Sequence, residues 1–136
     1  MTKVFVYGSL KRAYWNHRLL ETATFLGEAV SMAADYFLFD VGFPLAVNRS
    51  RLPTTPLVPQ KLFGELFSTE DPQVIERLDR LESNGRMYQR TLRLFENTAD
   101  NSQQEAYIYE FIADFNGLDP LRPARGDDFL VWHPRD

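Results

Sequence analysis

The stretch KVFVY, Lys3 to Tyr7, is β-branched and aromatic and predicts a strand. Gly8 and Ser9 end it in a loop, Gly8 by allowing backbone angles that other residues resist. Around Trp15, Asn16 and His17 the pattern changes, and Asn16 is suited to cap a short helix with Leu19 and Leu20 on one side. From Thr24 to Asn48 the chain is apolar and aromatic, interrupted by Gly27, Gly42 and Pro44, which predicts two or three strands with tight turns. RLPTTPLVP, from Arg51 to Pro59, reads as an irregular connection, and KLFGELF, from Lys61 to Phe67, as the next strand. The clearest helix follows in STEDPQVIERLDRLE, with Asp71 as N-cap, Pro72 in the first turn and an apolar stripe at Val74, Ile75, Leu78 and Leu81. MYQRTLRLF and QEAYIYEFI predict two more strands around a polar turn, ENTADNSQ. The tail GLDPLRPARGDDFLVWHPRD reads as a loop or short helix packed on the body. No repeat divides the chain, so residues 1–136 are expected to form a single mixed α+β domain.

Composition narrows the partners. With 136 residues, 44% of them hydrophobic and 14% aromatic, the chain can bury a real core. The absence of cysteine excludes disulfides, thiolate metal ligands and a cysteine nucleophile. No apolar run is long enough to span a bilayer and the N-terminus enters a strand pattern directly, so a soluble, cytoplasmic protein with no membrane partner is expected. Fifteen Lys and Arg against 19 Asp and Glu give a formal charge of -4, and no basic block tracks a phosphate backbone. Nucleic acid is not an expected partner. Two isolated histidines, His17 and His133, do not make a metal site of conventional spacing. Oligomeric state stays open: Phe129 and Trp132 fit either a dimer patch or aromatics packed on their own domain.

Three positions carry candidate chemistry. Glu82 lies about 20° from Ile75 and about 40° from Leu78 around the helix axis, so its carboxylate follows the apolar stripe. Glu76, Arg77, Asp79 and Arg80 fall further toward solvent, with Glu76 and Arg80 at ion-pair spacing. Burial and the negative end of the helix dipole would both raise the pKa of Glu82, as suits a general base near neutrality. The pattern equally admits a Glu82 that frays outward or pairs with Arg86 or Arg90. The opening loop has the same ambiguity. It is either an ordinary turn with Tyr7 in the core and Lys11 and Arg12 solvated, or a place where the N–H groups of Ser9 and Leu10 cradle an anion or oxyanion. Its glycine spacing is not that of a P-loop, and Ser9 lacks the second glycine of a hydrolase elbow. Tyr88 shares a strand face with Arg90, Leu92 and Leu94 and either lines a cavity near Glu82 or is a core tyrosine with its hydroxyl satisfied.

Taken together, VFVYGSLKRAYWNHRLL, FGELF and LDRLESNGRMYQRT resemble the γ-glutamylcyclotransferase superfamily, and most of all its γ-glutamylamine cyclotransferase branch. The resemblance spans roughly Val4 to Thr91. It implies a small mixed barrel-like β-sheet flanked by helices, with the YGSL loop at a cavity mouth. It assigns Tyr7, Gly8, Ser9 and Leu10 to substrate binding, Glu82 to general acid/base catalysis and Tyr88 to substrate positioning. Ala13 departs from the pattern, where close relatives often carry glycine. The implied reaction releases 5-oxoproline and a free amine from a small γ-glutamyl substrate without cofactor or metal. A non-catalytic protein that binds a small metabolite in the same cavity is the alternative.

Overall fold

The computed structural model describes residues 1–12, 14–114 and 129–133. Along the chain come β1 (Thr2–Val6), a 3-10 turn (His17–Leu20), β2 (Thr24–Ser31), β3 (Tyr36–Asp40) and β4 (Pro44–Asn48). β5 (Lys61–Thr69), α1 (Pro72–Leu81), β6 (Tyr88–Asn97), β7 (Gln103–Phe111) and β8 (Phe129–Leu130) follow. β1 pairs antiparallel with β5, from Thr2 opposite Thr69 to Val6 opposite Glu65, and parallel with β7 at Val4 opposite Tyr107. Because β7 pairs with β6, β6 with β2 and β2 with β5, the order β1-β7-β6-β2-β5 returns to β1 and closes a mixed five-stranded barrel. Each of these strands is thus paired on both sides over part of its length. β8 lies parallel on β5, while β3 and β4 form a separate hairpin.

Alternation along the strands feeds two cores. From β1, Val4 and Val6 join Phe67, Tyr109 and the buried stripe of α1, Val74, Ile75 and Leu78. Phe5 and Tyr7 point the other way, to Leu66, Phe95, Ile108 and Trp132. Phe5 stacks on Phe95 with ring centroids 4.1 Å apart. The hairpin divides in the same manner, Tyr36, Leu38 and Ala46 serving one core and Phe37, Phe39, Leu45 and Val47 the other. α1 begins as its sequence predicts, Asp71 Oδ1 accepting from the Gln73 N–H at 2.9 Å with Pro72 in the first turn.

Several expectations are corrected by this packing. Asn16 does not cap an α-helix; the segment is a 3-10 turn, and the Asn16 side chain instead reaches back to Ser9. Gly8 is not in the left-handed region; its lack of a side chain matters because a Cβ there would meet Pro44 Cγ at 2.8 Å. Lys11 is buried, its Nζ donating to the Trp132 carbonyl at 2.8 Å, whereas Arg12 stays exposed while pairing with Glu65, whose Oε1 accepts from the Arg12 N–H at 2.7 Å. Glu76 and Arg80 form no ion pair among the described residues. Leu92 and Leu94 share the strand face of Tyr88 but are exposed, beyond the part of the sheet that packs on the α1 layer. Trp132 is buried on its own domain, edge-on to Tyr14 and Trp15. Of the C-terminal tail only residues 129–133 are described, and Ala13 also lies outside the described residues.

Gly64 on β5 is the tightest point of closure: a Cβ there would fall 2.3 Å from the Val6 carbonyl oxygen and 2.7 Å from Phe5 Cζ. The nearest obstacle is backbone, which cannot swing aside. Gly64→Ala is expected to destabilise the fold by about 3 kcal/mol in urea unfolding. A change within about 0.5 kcal/mol, the range of an ordinary surface substitution, would contradict this account of closure.

Candidate active site

β1 ends at the mouth of the barrel, and the chain that leaves it forms one wall of a cavity of about 320 Å³. The β3–β4 turn forms a second wall and the end of α1, with the turn into β6, the third. All six positions singled out in the sequence, Tyr7, Gly8, Ser9, Leu10, Glu82 and Tyr88, line this one cavity.

The YGSL wall is held from behind. Asn16 Nδ2 donates to Ser9 Oγ at 2.8 Å, and the Asn16 N–H to the Ser9 carbonyl at 3.1 Å. The His17 ring Nδ1–H donates to the Leu10 carbonyl at 3.1 Å. The carbonyls and the Ser9 hydroxyl are therefore engaged in the scaffold. Among the described residues, the N–H groups of Ser9 and Leu10 donate to no protein acceptor.

Glu82 is delivered by the helix end. Its N–H still donates to the Leu78 carbonyl at 3.0 Å, but its ψ of 0° leaves the helix, and Ser83 turns the chain away at φ 48°. Such a left-handed residue just past the end is a common helix stop. The turn is tied down by the Arg90 N–H donating to Asn84 Oδ1 at 2.8 Å and the Met87 N–H to the Ser83 carbonyl at 3.1 Å. Glu82 thus faces the cavity in a fixed direction instead of fraying. Neither Arg86 nor Arg90 neutralises it: Arg90 Nε pairs with Asp79 at 3.1 Å. Asp79 is accordingly not the solvated residue that helical spacing suggests.

Three tyrosines surround the carboxylate, and each spends its proton elsewhere. Tyr7 donates to the Tyr109 carbonyl at 2.5 Å, Tyr88 to the Pro44 carbonyl at 2.7 Å and Tyr109 to Asp79 Oδ1 at 2.7 Å. Burial holds all three hydroxyls well above their ordinary pKa, and the charge of Glu82 pushes each further the same way. The Glu82 carboxyl makes no hydrogen bond or ion pair among the described residues. With nothing to favour the charged form, burial pushes its carboxyl up to about 7. The arrangement is a proton-exchanging group in an apolar chamber, opposite backbone donors.

The chain from residue 4 to residue 130 matches the family model described as "Gamma-glutamyl cyclotransferase, AIG2-like". It belongs to that family. A bovine gamma-glutamylaminecyclotransferase is 34% identical over 100 residues, covering 67% of this chain and 54% of the relative. A putative gamma-glutamylcyclotransferase of Methanocaldococcus jannaschii is 29% identical over 91 residues, covering 66% of this chain and 68% of the relative. The chain therefore spans about half the length of the bovine protein. Among solved structures, a mouse AIG2-like protein matches with a TM-score of 0.69 at 24% identity, over 100% of this chain and 97% of that one. An uncharacterized protein of Pyrococcus horikoshii matches with a TM-score of 0.63 at 23% identity, over 89% and 86%. These structural likenesses show that the barrel is the fold of the family.

Tyr109, Pro44, Trp15, Phe43 and Met87 also line the cavity and were not apparent as site residues from the sequence. Tyr109 had a usable signal. Antiparallel pairing of MYQRTLRLF with QEAYIYEFI sets Arg90 opposite Tyr109 and Tyr88 opposite Phe111, which puts Tyr109 on the face of Tyr88.

The raised Glu82 carboxyl has a consequence for stability. The folded protein keeps a proton that the unfolded chain releases above about 4.5, so stability falls as pH rises from there through about 7. Glu82→Gln removes that cost. Thermal melts are expected to show equal stability at pH 4 and a variant more stable by on the order of 1–3 kcal/mol at pH 8. A gain independent of pH, or none, would contradict the burial of this carboxylate.

Proposed function

We propose that the protein is a γ-glutamylamine cyclotransferase, converting a γ-glutamyl amide of a small amine to 5-oxoproline and the free amine in the cytoplasm. The observation that carries this reading is the unpaired Glu82 carboxyl, poised at about 7 in the cavity that the YGSL loop borders. Family membership supports the cyclotransferase class, and the bovine relative supports an amine as leaving group.

In this reading the substrate supplies its own nucleophile. Its α-amine attacks its γ-carbonyl carbon, a five-membered ring closes and the bond to the leaving nitrogen breaks. Attacking and attacked atoms share one molecule, so holding the substrate curled supplies much of the acceleration. What remains is proton traffic. The α-ammonium must lose a proton before its nitrogen can attack, and Glu82 accepts it. The tetrahedral oxyanion faces the N–H groups of Ser9 and Leu10, which have no competing protein acceptor. Protonated Glu82 then donates to the leaving nitrogen, so that the expelled group departs as an amine and not as its anion. The attacking nitrogen still carries two protons once the ring bond has formed; the regenerated Glu82 carboxylate takes one and passes it to the expelled amine, which leaves as its ammonium, and one proton stays on the ring nitrogen. Tyr88, with its hydroxyl fixed on Pro44, serves as a rigid wall that positions the substrate chain.

The test is release of 5-oxoproline from a panel of γ-glutamyl amides. Wild type is expected to form it, and Glu82→Gln to lose on the order of 10²–10⁴-fold in kcat. kcat/KM should rise with pH through about 7, because the free enzyme must hold Glu82 deprotonated. Binding without any 5-oxoproline would replace this reading with that of a metabolite-binding protein. Full activity in Glu82→Gln would remove Glu82 from the chemistry.

A further inference from the structure

The rim of the cavity says what kind of amine leaves. Four large apolar side chains that solvent reaches converge there: Trp15 at 53% exposed, Phe43 at 43%, Leu81 at 42% and Met87 at 39%. Trp15 and the turn that carries Phe43 are fixed by their surroundings, and Leu81 and Met87 flank the two site residues in sequence. Trp15 packs edge-on against the buried Trp132, with centroids 6.0 Å apart. Phe43 sits in a β3–β4 turn fixed by Gly42 at φ 98° and by the Gly42 N–H donating to Asp40 Oδ1 at 2.9 Å. Leu81 is the last residue of α1, immediately before Glu82, and Met87 immediately precedes Tyr88. These side chains border the catalytic carboxylate on its open side. Among the described residues that line the cavity, only Glu82 carries a charge near neutrality.

A γ-glutamyl substrate has two ends with different needs. The glutamyl end brings an ammonium, met by Glu82, and the γ-carbonyl oxygen, which faces the free loop N–H groups. With that end at the carboxylate and the loop, the substituent on the leaving nitrogen extends to the rim. An apolar substituent there releases ordered water from four exposed apolar side chains and needs no partner. A carboxylate, as in an amino-acid leaving group, would lose hydration against the same surface without a cation to meet it. A second ammonium, as on a lysine side chain, would meet no second anion.

Resting on the cyclotransferase reading above, we infer that the rim of Trp15, Phe43, Leu81 and Met87 selects γ-glutamyl amides of uncharged, apolar monoamines over those of amino acids or diamines. The unbranched Met87 thioether lets the site adapt to alkyl and aryl shapes alike.

Two experiments test this, and they separate its failure from failure of the reaction. With wild type, kcat/KM for γ-glutamyl benzylamide is expected to exceed that for γ-glutamyl glycine and for γ-glutamyl ε-lysine by at least about tenfold. Phe43→Ala should lower kcat/KM for the benzylamide at least about fivefold more than for γ-glutamyl methylamide. In calorimetric titrations of Glu82→Gln, the benzylamide should bind at least about tenfold more tightly than the glycine conjugate. Absence of 5-oxoproline from every substrate would overturn the reaction, while the binding order would still decide the rim. Equal or tighter binding of the glycine or lysine conjugate, or no binding of the benzylamide, would overturn the inference whatever the enzyme turns over.

Discussion

The structure hangs on the double pairing of β1. One short strand is the seam of the barrel, antiparallel to β5 on one side and parallel to β7 on the other, and Gly64 of β5 leaves no room for a side chain against Phe5 and Val6 of that strand. Because the seam is fixed on both edges, the chain leaving it at Tyr7 has a fixed position and direction. The YGSL segment needs no strain of its own to present its N–H groups. It is set by the strand before it and fastened from behind by Asn16 and His17. The same closure places the end of β6 and the α1–β6 turn around the mouth.

The second constraint is electrostatic. Four acceptors, the Tyr109 and Pro44 carbonyls, Asp79 and Asn84, take up donors that could otherwise have stabilised a charged Glu82. Asp79 pairs with Arg90 as well, drawing away the nearby cation whose spacing suits Glu82. The polar network around the site is thus satisfied within itself, and the carboxylate at its centre is left to burial alone. A buried carboxyl with one or two donors would sit near or below the usual carboxylate range. Withholding them is what lets burial lift the group to about 7. It also costs stability, as is common where function and packing compete.

Much of this was legible in the chain. KVFVY reads as the first strand, Asp71-Pro72 starts a helix, and counting 100° per residue from Ile75 gives an inward Glu82 as one of two readings, the one the structure takes. The resemblance singled out the YGSL loop and Glu82, and the structure brings both to the lining of one cavity. What could not be read was long-range. Gly8 was taken as a turn residue because its neighbour Pro44 is 36 positions away in the chain. Lys11 read as solvated because its partner, the Trp132 carbonyl, is 121 positions away and placed by β8. Asp79 read as a surface acid since helical spacing cannot see Tyr109 and Arg90 arriving from two strands. Leu81 has the periodicity of a core residue, yet lies at the cavity rim, where the stripe of α1 runs past the end of its layer.

The central claim is that Glu82 is a carboxyl raised by burial and by nothing else. The direct measurement is a side-chain ¹³C NMR titration of the glutamate carboxyls, with Glu82 assigned by its loss in Glu82→Gln. The account predicts that this resonance titrates near 7, apart from the exposed glutamates. A midpoint in the ordinary range near 4.5 would mean that water or an unrecognised donor reaches the carboxylate, and would contradict the site as described.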